Sequence, residues 1–393
     1  MSSSEVMRRK IDRLQTQAMI VGGIGLIATV VMGMAGWQQF FRSYLMAYVY
    51  WICVPLGSMA LLMTHHLTGG WWGYPIRRIL EAGSRTIRLM AALFIPILIG
   101  MTRLYAWARP EDVKADAILQ DKHWYLNPSG FVIRAIIYFV IWLGIAYFLN
   151  KWSREQDATG NPALADRMVA LSGPGLVLWG LIVTGAAVDW VMSLEPHWFS
   201  TIYGMLFIVI ECLAALAFTL FVLRMVSNYE PIKDSIEPKR FVDLGSLMLA
   251  FVMLWAYLSF DQLLIIWAGN LKDEIPWYMQ RAFGGWAPIG ATLIVLHFFV
   301  PFFLLLQRGV KRRIRVLSLV AAMIFVLTLL DIFWIVVPSY ETMRPRVHLA
   351  DIFALIGIGG AWVSAFLWQL KQLPLLPLHD PRFEGVLEHE HGD

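Results

Sequence analysis

Six ionisable side chains lie within strongly apolar stretches of this sequence, where charged groups are rare in membrane proteins. Counted at about 1.5 Å per residue from the nearer end of its stretch, Glu211 lies about 12 Å deep. Asp261 and Asp331 lie about 10 Å and 9 Å deep on the same half of the membrane, and His297 lies near the midplane. The full set is Asp189, Glu211, Asp261, His297, Asp331 and Asp351.

Carboxyl and imidazole groups at such depths are suited to moving protons. An ionisable residue at mid-bilayer costs about 2.5–3.5 kcal/mol on insertion scales, so we expect all six to face the bundle interior. There, buried carboxyl groups and a histidine can pass protons through intervening water. For the group as a whole, the sequence favours proton conduction. For each single residue a structural pairing stays open, for example with Arg134 at the start of the fourth stretch.

The other half of the membrane carries fewer groups of this kind. His65 and His66 end the second apolar stretch, and Asp243 opens the seventh. We interpret this histidine pair as an end cap rather than a proton donor. No carboxylate is predicted between that surface and His297, so an inner half-channel would depend on hydroxyl groups, glycine kinks and water.

The elements that position these residues are membrane-spanning helices. Of the 393 residues, 58% are hydrophobic and only 15% are charged, which excludes a water-soluble core. A bilayer core of about 30 Å needs roughly 20 apolar residues of helix. Ten such stretches occur, at about 18–36, 44–64, 86–102, 131–150, 175–192, 203–226, 243–268, 287–306, 315–337 and 349–370.

The distribution of basic residues predicts the orientation. With ten spans both termini lie on one side, which holds 22 of the 32 Lys and Arg residues. The positive-inside rule then places both termini in the cytoplasm. We expect a cytoplasmic tail over residues 1–17, a membrane domain over 18–370 and a docking tail over 371–393. The tail histidines His389 and His391 are typical of a disordered Glu/His segment rather than of a metal site.

Several classes of chemistry are excluded by what the sequence lacks. Cys53 and Cys212, the only cysteines, lie in apolar runs, so a disulfide scaffold, CxxCH haem attachment and a cysteine-ligated iron–sulfur cluster are excluded. His297 alone among the histidines lies at membrane depth, which excludes two b-type haems. We therefore expect no catalytic residue, no metal and no redox cofactor in this chain. A secondary transporter remains an alternative.

Four segments differ in sequence from the generic apolar stretches of membrane-spanning helices. The loop at residues 189–201 reads DWVMSLEPHWFST, residues 264–278 read LIIWAGNLKDEIPWY, residues 69–73 read GGWWG, and residues 374–382 read PLLPLHDPR. In these segments the chain resembles the membrane subunits of alternative complex III, relatives of the polysulfide-reductase (NrfD-like) membrane anchors. The resemblance runs from the second span to the tail. The ten spans, the length and the HDPR tail favour the F-type over the longer C-type subunit.

The resemblance implies a fold and a set of partners. The fold would be two four-helix bundles with flanking helices, in a bacterial plasma membrane. The partners would be a homologous NrfD-like subunit, an iron–sulfur protein, pentahaem and monohaem c-type cytochromes, small membrane subunits and lipids, but no nucleic acid. Haem c and iron–sulfur clusters would belong to those partners. The resemblance also implies that the complex as a whole oxidises quinol and passes the electrons to cytochrome c or another acceptor.

Three hypotheses for this chain follow. In the first, it moves protons through its interior carboxyl groups while neighbouring chains oxidise quinol. In the second, it binds quinone itself near Arg134 and His197 at the outer surface, although a loop-ordering hydrogen bond is the simpler interpretation of His197. In the third, it is a structural scaffold whose polar residues lock helices together.

Overall fold

The computed structural model describes residues 3–229, 238–341, 344–377 and 380. Within these residues the backbone forms helices joined by turns and short loops, and no strand occurs. Ten helices are long and apolar enough to cross a membrane. A helix satisfies its backbone hydrogen bonds within one segment, as the hydrocarbon core requires because it offers no water. The described chain is therefore an all-α, multi-pass membrane protein, which confirms the predicted fold class.

We number the spanning helices in chain order. Most run beyond the predicted apolar stretches, because helical hydrogen bonding continues into the polar interface. Their bounds are α1 (Ser3–Ala35), α2 (Trp37–Thr68), α3 (Arg77–Ile99), α4 (Pro128–Thr159), α5 (Ala163–Trp190), α6 (Tyr203–Val226), α7 (Pro238–Gly269), α8 (Gly284–Leu306), α9 (Ile314–Val336) and α10 (Leu349–Leu370).

Helices α3 and α8 are interrupted. The segments of α3 are Arg77–Arg85, Ile87–Leu93 and Ile95–Ile99, and those of α8 are Gly284–Trp286, Ala287–Thr292, a π-helix at Leu293–Phe299, and Val300–Leu306. Short helices between the spans are Met101–Leu104, Ala106–Ala108, Pro110–Ala115, Ala117–Asp121, Lys122–Trp124, Met192–Leu194, Ile275–Ala282, Arg308–Arg312 and Val337–Ser339.

The spanning helices form two groups of four. Helices α2 to α5 pack around one another, α6 to α9 form the second group, and α1 and α10 flank them. The groups meet where α2 packs against α6. These two helices are the most enclosed, with 94% and 89% of their most apolar windows buried. The centre of the protein is therefore the α2–α6 contact.

Helices α1 and α10 pack antiparallel with their backbones in close contact. A Cβ added at Gly25 would lie 2.6 Å from the backbone nitrogen of Gly357, and one added at Gly360 would lie 2.4 Å from the Cα of Gly22. Small residues allow such close approach between helices in lipid. The start of α1 therefore lies beside the end of α10, on what we call the terminal face. The other side is the opposite face.

We expect Gly25→Ala to destabilise the protein by about 1–3 kcal/mol, because the added methyl group would overlap the α10 backbone. Gly23 is a matched control on the same helix, since a Cβ there would have nothing within 4 Å. Thermal unfolding of both purified variants in detergent measures the difference. Equal unfolding temperatures for Gly25→Ala and Gly23→Ala would show that the close packing does not stabilise the protein.

The structure describes both ends of the predicted membrane domain. The predicted tail at residues 1–17 is helical from Ser3 and continues without a break into the first span. At the other end, α10 ends at Leu370, and residues 371–377 continue as turns and irregular chain. His389 and His391 lie outside the described residues.

Candidate functional site

Glu211 lies at the centre of the protein, on α6 where this helix meets α2. Gly57 of α2 makes this contact close, since a Cβ there would lie 1.9 Å from the backbone oxygen of Glu211. The Glu211 side chain is buried, with 4% of the residue exposed. The sequence places Glu211 at membrane depth, and the structure places it in the most enclosed pair of helices.

The surroundings of Glu211 are almost entirely apolar. Its Oε2 atom has no hydrogen-bond partner among the described residues. Glu211 lines a small cavity together with Cys53, Trp190 and Phe207, among others. The volume that the centre of a water molecule can occupy in this cavity is about 10 Å³. A cavity of about 10–15 Å³ by this measure is the smallest that holds one water. One water beside Glu211 is therefore sterically feasible.

A second cluster joins α7, α8 and α9. Trp255 of α7 donates a hydrogen bond from its indole nitrogen to Oδ2 of Asp331 on α9, at 2.8 Å. The ring of His297 on α8 lies 4.5 Å from the Trp255 ring, centroid to centroid. All three side chains are buried. The structure thus brings His297 and Asp331 into contact with one tryptophan, a residue that the sequence did not single out.

His297 lies within the π-helix of α8. Segments of this kind are frequent at functional sites, because the wider turn redirects side chains and disturbs the regular hydrogen bonding. Neither ring nitrogen of His297 has a hydrogen-bond partner among the described residues. A buried imidazole without a partner is rare, because the polar nitrogens lose their hydration.

Cys53 lies on α2 beside Glu211. It lines the cavity next to Glu211, and α2 also packs against α9, which carries Asp331. Helix α2 therefore contacts both helices that carry these carboxyl groups. Cys53 donates a hydrogen bond to the backbone oxygen of Val49, so the thiol itself is engaged locally.

Asp189, by contrast, is completely paired. Arg134 donates two hydrogen bonds to its carboxylate, at 2.8 and 2.9 Å, and the Tyr138 hydroxyl donates a third at 2.8 Å. The guanidinium of Arg134 also stacks over the Tyr125 ring at 3.9 Å. Two residues predicted for different roles, a proton path and a quinone site, therefore form one ion pair between α4 and α5.

Asp351 caps helix α10. Its carboxylate accepts the backbone N–H of His348 at 2.8 Å and the hydroxyl of Ser43 at 2.5 Å. A carboxylate in the first turn satisfies free N–H groups and is stabilised by the helix dipole. Asp351 therefore fastens the start of α10 to α2.

Asp261 does not join the interior residues. It is half-exposed on α7, next to the exposed side chain of Phe260 and one turn from that of Tyr257. No hydrogen bond or ion pair connects it to another described residue. In the chain alone, Asp261 therefore lies at the surface, whereas the sequence analysis placed all six groups facing inward.

His197 lies on the opposite face with its side chain 55% exposed, and its Nε2 contacts Oδ2 of Asp116 at 2.7 Å. Asp116 caps the helix Ala117–Asp121 by accepting the backbone N–H groups of Ile118 and Leu119. Partial desolvation raises the pKa of Asp116, but the two backbone amides and His197 outweigh this effect and hold the pKa below its ordinary value. The contact orders two loops, in line with the simpler interpretation of His197.

A polar network at the terminal-face end of the helices was not predicted as a unit. Glu81 accepts hydrogen bonds from Arg77 at 3.0 Å, Arg78 at 2.7 Å and Ser153 at 2.6 Å, and all four residues are buried. The Arg77–Glu81 spacing of one helical turn, shortly after the GGWWG segment, was the available signal. Glu81 adds a buried carboxylate on the terminal-face side, where the sequence predicts none between the surface and His297.

Two further carboxylates complete this network. Arg77 is paired with Asp380 of the C-terminal segment, and Arg78 is paired with Asp157 of α4. The predicted docking tail therefore makes a buried ion pair with the membrane domain at Asp380.

Arg281 forms the corresponding network on the opposite face. It donates 2.8 Å hydrogen bonds to Glu195 and to the backbone oxygen of Ile335, and it stacks on Trp277 at 3.8 Å. Ser339 donates to the same Glu195 oxygen at 2.7 Å. Two acidic residues of the DWVMSLEPHWFST loop, Asp189 and Glu195, are thus held by arginines of other elements. This loop is positioned by ion pairs.

No protein-family model matches the sequence, and no curated protein matches it. The structure thus establishes the membrane architecture and the polar clusters described above.

Proposed function

We propose that this chain is a membrane subunit of a quinol:electron-acceptor oxidoreductase of the alternative complex III type, and that it provides a proton path. Neighbouring subunits would oxidise quinol and carry the haem and iron–sulfur groups. Both termini would lie in the cytoplasm of a bacterial cell. The family assignment depends on the sequence resemblance. The proton path depends mainly on one observation, that Glu211 is buried at the centre and no described residue supplies a cation or a hydrogen-bond partner for its Oε2.

The chemistry of Glu211 supports this role. An ionised carboxylate without a partner is costly to bury, so the group is stable when it holds a proton. A water in the adjoining cavity could accept that proton and pass it on. A purely structural carboxyl would instead be paired, as Asp189 is with Arg134.

Asp331 and His297 supply the next groups. Asp331 receives one indole hydrogen bond and no cation among the described residues, while His297 has both ring nitrogens free of hydrogen bonds there. Both are chemically able to take up and release protons. Since α6 and α9, which carry Glu211 and Asp331, pack against each other and against α2, the path would run beside α2.

Translocation also requires coupling to the redox reaction. Moving one charge through 100 mV costs about 2.3 kcal/mol, so a passive pore would discharge the membrane. The enclosed α2–α6 contact and the small cavity beside Glu211 are consistent with a gated route rather than an open one. In this proposal, a change in a neighbouring subunit alters the hydration of the Glu211 cavity.

We expect Glu211→Gln and Asp331→Asn each to lower the proton-to-electron ratio of the intact complex in proteoliposomes, while quinol oxidation continues. Both variants keep the side-chain shape and remove the exchangeable acid. The matched control is Glu155→Gln, an exposed carboxyl on α4. An unchanged ratio in both interior variants would exclude this path. If a variant loses both quinol oxidation and assembly of the complex, the substituted residue has a structural role instead.

A second function is favoured by a cavity of about 190 Å³ on the opposite face. Its lining is mostly apolar and includes Tyr125, Met192 and Phe199, with the Lys122 ammonium at the edge donating to the backbone oxygen of Pro196. A flat aromatic head group with carbonyl oxygens, such as a quinone, fits this chemistry. Photolabelling with an azidoquinone tests it. If the probe labels residues that line this cavity, and excess quinone abolishes the labelling, the result supports quinone binding by this chain.

A further inference from the structure

The outward face of α7 carries an unusual combination of side chains. Exposed apolar residues recur along it at intervals of three or four, which places them in one stripe. The half-exposed Asp261 lies on the edge of this stripe, between Phe260 and Gln262 in sequence. The stripe consists of Met253, Tyr257, Phe260, Leu264 and Trp267.

This face does not fit contact with lipid alone. Asp261 lies eight residues before the end of α7 at Gly269, or about 12 Å along the helix axis. A carboxylate at this depth that faced hydrocarbon would have no group to hydrogen-bond. No described residue of this chain supplies a hydrogen bond or ion pair to it. The partner therefore has to come from outside the described residues.

A second copy of this chain does not supply that partner. Three basic residues near the opposite-face ends of the described spans are already engaged within the chain. Arg134 is paired with Asp189, and Arg42 stacks on the Tyr340 ring at 4.6 Å. Arg281 is buried and held by Glu195. A symmetric contact through α7 would also place one Asp261 against another. Charge complementarity therefore requires a different chain.

We propose that the stripe and Asp261 bind a membrane-spanning helix of a different chain, which presents a Lys or Arg side chain at the depth of Asp261. The aromatic and aliphatic side chains of the stripe would pack against the apolar part of that helix, and the ion pair would set its register. Polar contacts between helices have this effect in membranes, where a misplaced polar group has no water to bind. The proposal does not depend on proton movement.

Site-specific photocrosslinking in native membranes tests this contact. Benzoylphenylalanine replaces Tyr257 in one variant and Val140 of α4 in the control. The two residues are 61% and 62% exposed, and each lies twelve residues from the opposite-face end of its helix, Gly269 or Pro128. We expect only the Tyr257 variant to give an adduct with an apolar span of another chain that contains Lys or Arg.

Charge dependence tests the pairing itself. We expect Asp261→Asn to lower recovery of that crosslinked chain with this one by about three- to tenfold, and Asp261→Glu to retain it. Size exclusion of each variant shows that the chain itself stays folded. An adduct with lipid only, with a second copy or with a span without Lys or Arg would overturn the proposal. Undiminished recovery with Asp261→Asn would also overturn it.

Discussion

Glu81→Gln is expected to destabilise the protein by about 3–5 kcal/mol, because it leaves buried arginines without part of their counter-charge. In the folded chain, Glu81 accepts hydrogen bonds from Arg77 and Arg78. Glutamine has nearly the same shape but no charge, so packing is kept while the ionic balance is lost. Asp157 and Asp380 still pair with the two arginines and limit the loss.

The control for this result is Glu155→Gln on α4. Glu155 forms an exposed pair with Lys151 at 3.8 Å, and exposed pairs contribute about 0–1 kcal/mol. Thermal unfolding in detergent, followed by the fraction of monodisperse protein, compares the two variants. Superimposable curves for Glu81→Gln and Glu155→Gln would mean that the network on the terminal face does not stabilise the fold.

Arg134→Met is expected to have a similar cost of about 3–5 kcal/mol, since it leaves the Asp189 carboxylate buried with Tyr138 as its remaining side-chain donor. The double variant Arg134→Met with Asp189→Asn should recover most of that loss, because no buried charge is then left. The four proteins of this double-mutant cycle give the coupling free energy. A double variant as unstable as Arg134→Met alone would contradict the ion-pair interpretation.

The same double variant separates the roles of Asp189. If Asp189 only positions the DWVMSLEPHWFST loop, the folded double variant keeps the proton-to-electron ratio of the intact complex. If Asp189 carries protons, the ratio falls although stability is restored. The contacts of Asp189 favour the first outcome, and those of Asp351 favour a capping role in the same way.

The six predicted groups therefore fall into three environments. Glu211, Asp331 and His297 lie in the interior without a cation among the described residues, Asp189 and Asp351 are held by structural hydrogen bonds, and Asp261 lies on the outward face of α7. Only the first environment suits groups that exchange protons. This division reduces the proposed path from six residues to three, and Trp255 is added as the contact between Asp331 and His297.

The ten spans, the sharing of one face by both termini and the depth of the acidic residues follow from the sequence by itself. Each depends on hydropathy summed over about 20 consecutive residues and on counting along a helix, which are local properties. The structure confirms the ten spans, and the antiparallel contact of α1 with α10 places the first and last spans as expected.

The rotation of each helix, and hence the partner of each polar side chain, was decided only by the tertiary structure. The spans are apolar on nearly every side, so no amphipathic stripe indicates which face turns inward. The Arg134–Asp189 pair joins residues 55 apart in sequence, and the Arg77–Asp380 pair joins residues 303 apart. Such contacts arise from packing between helices, including the close approach at Gly57, which hydropathy does not encode.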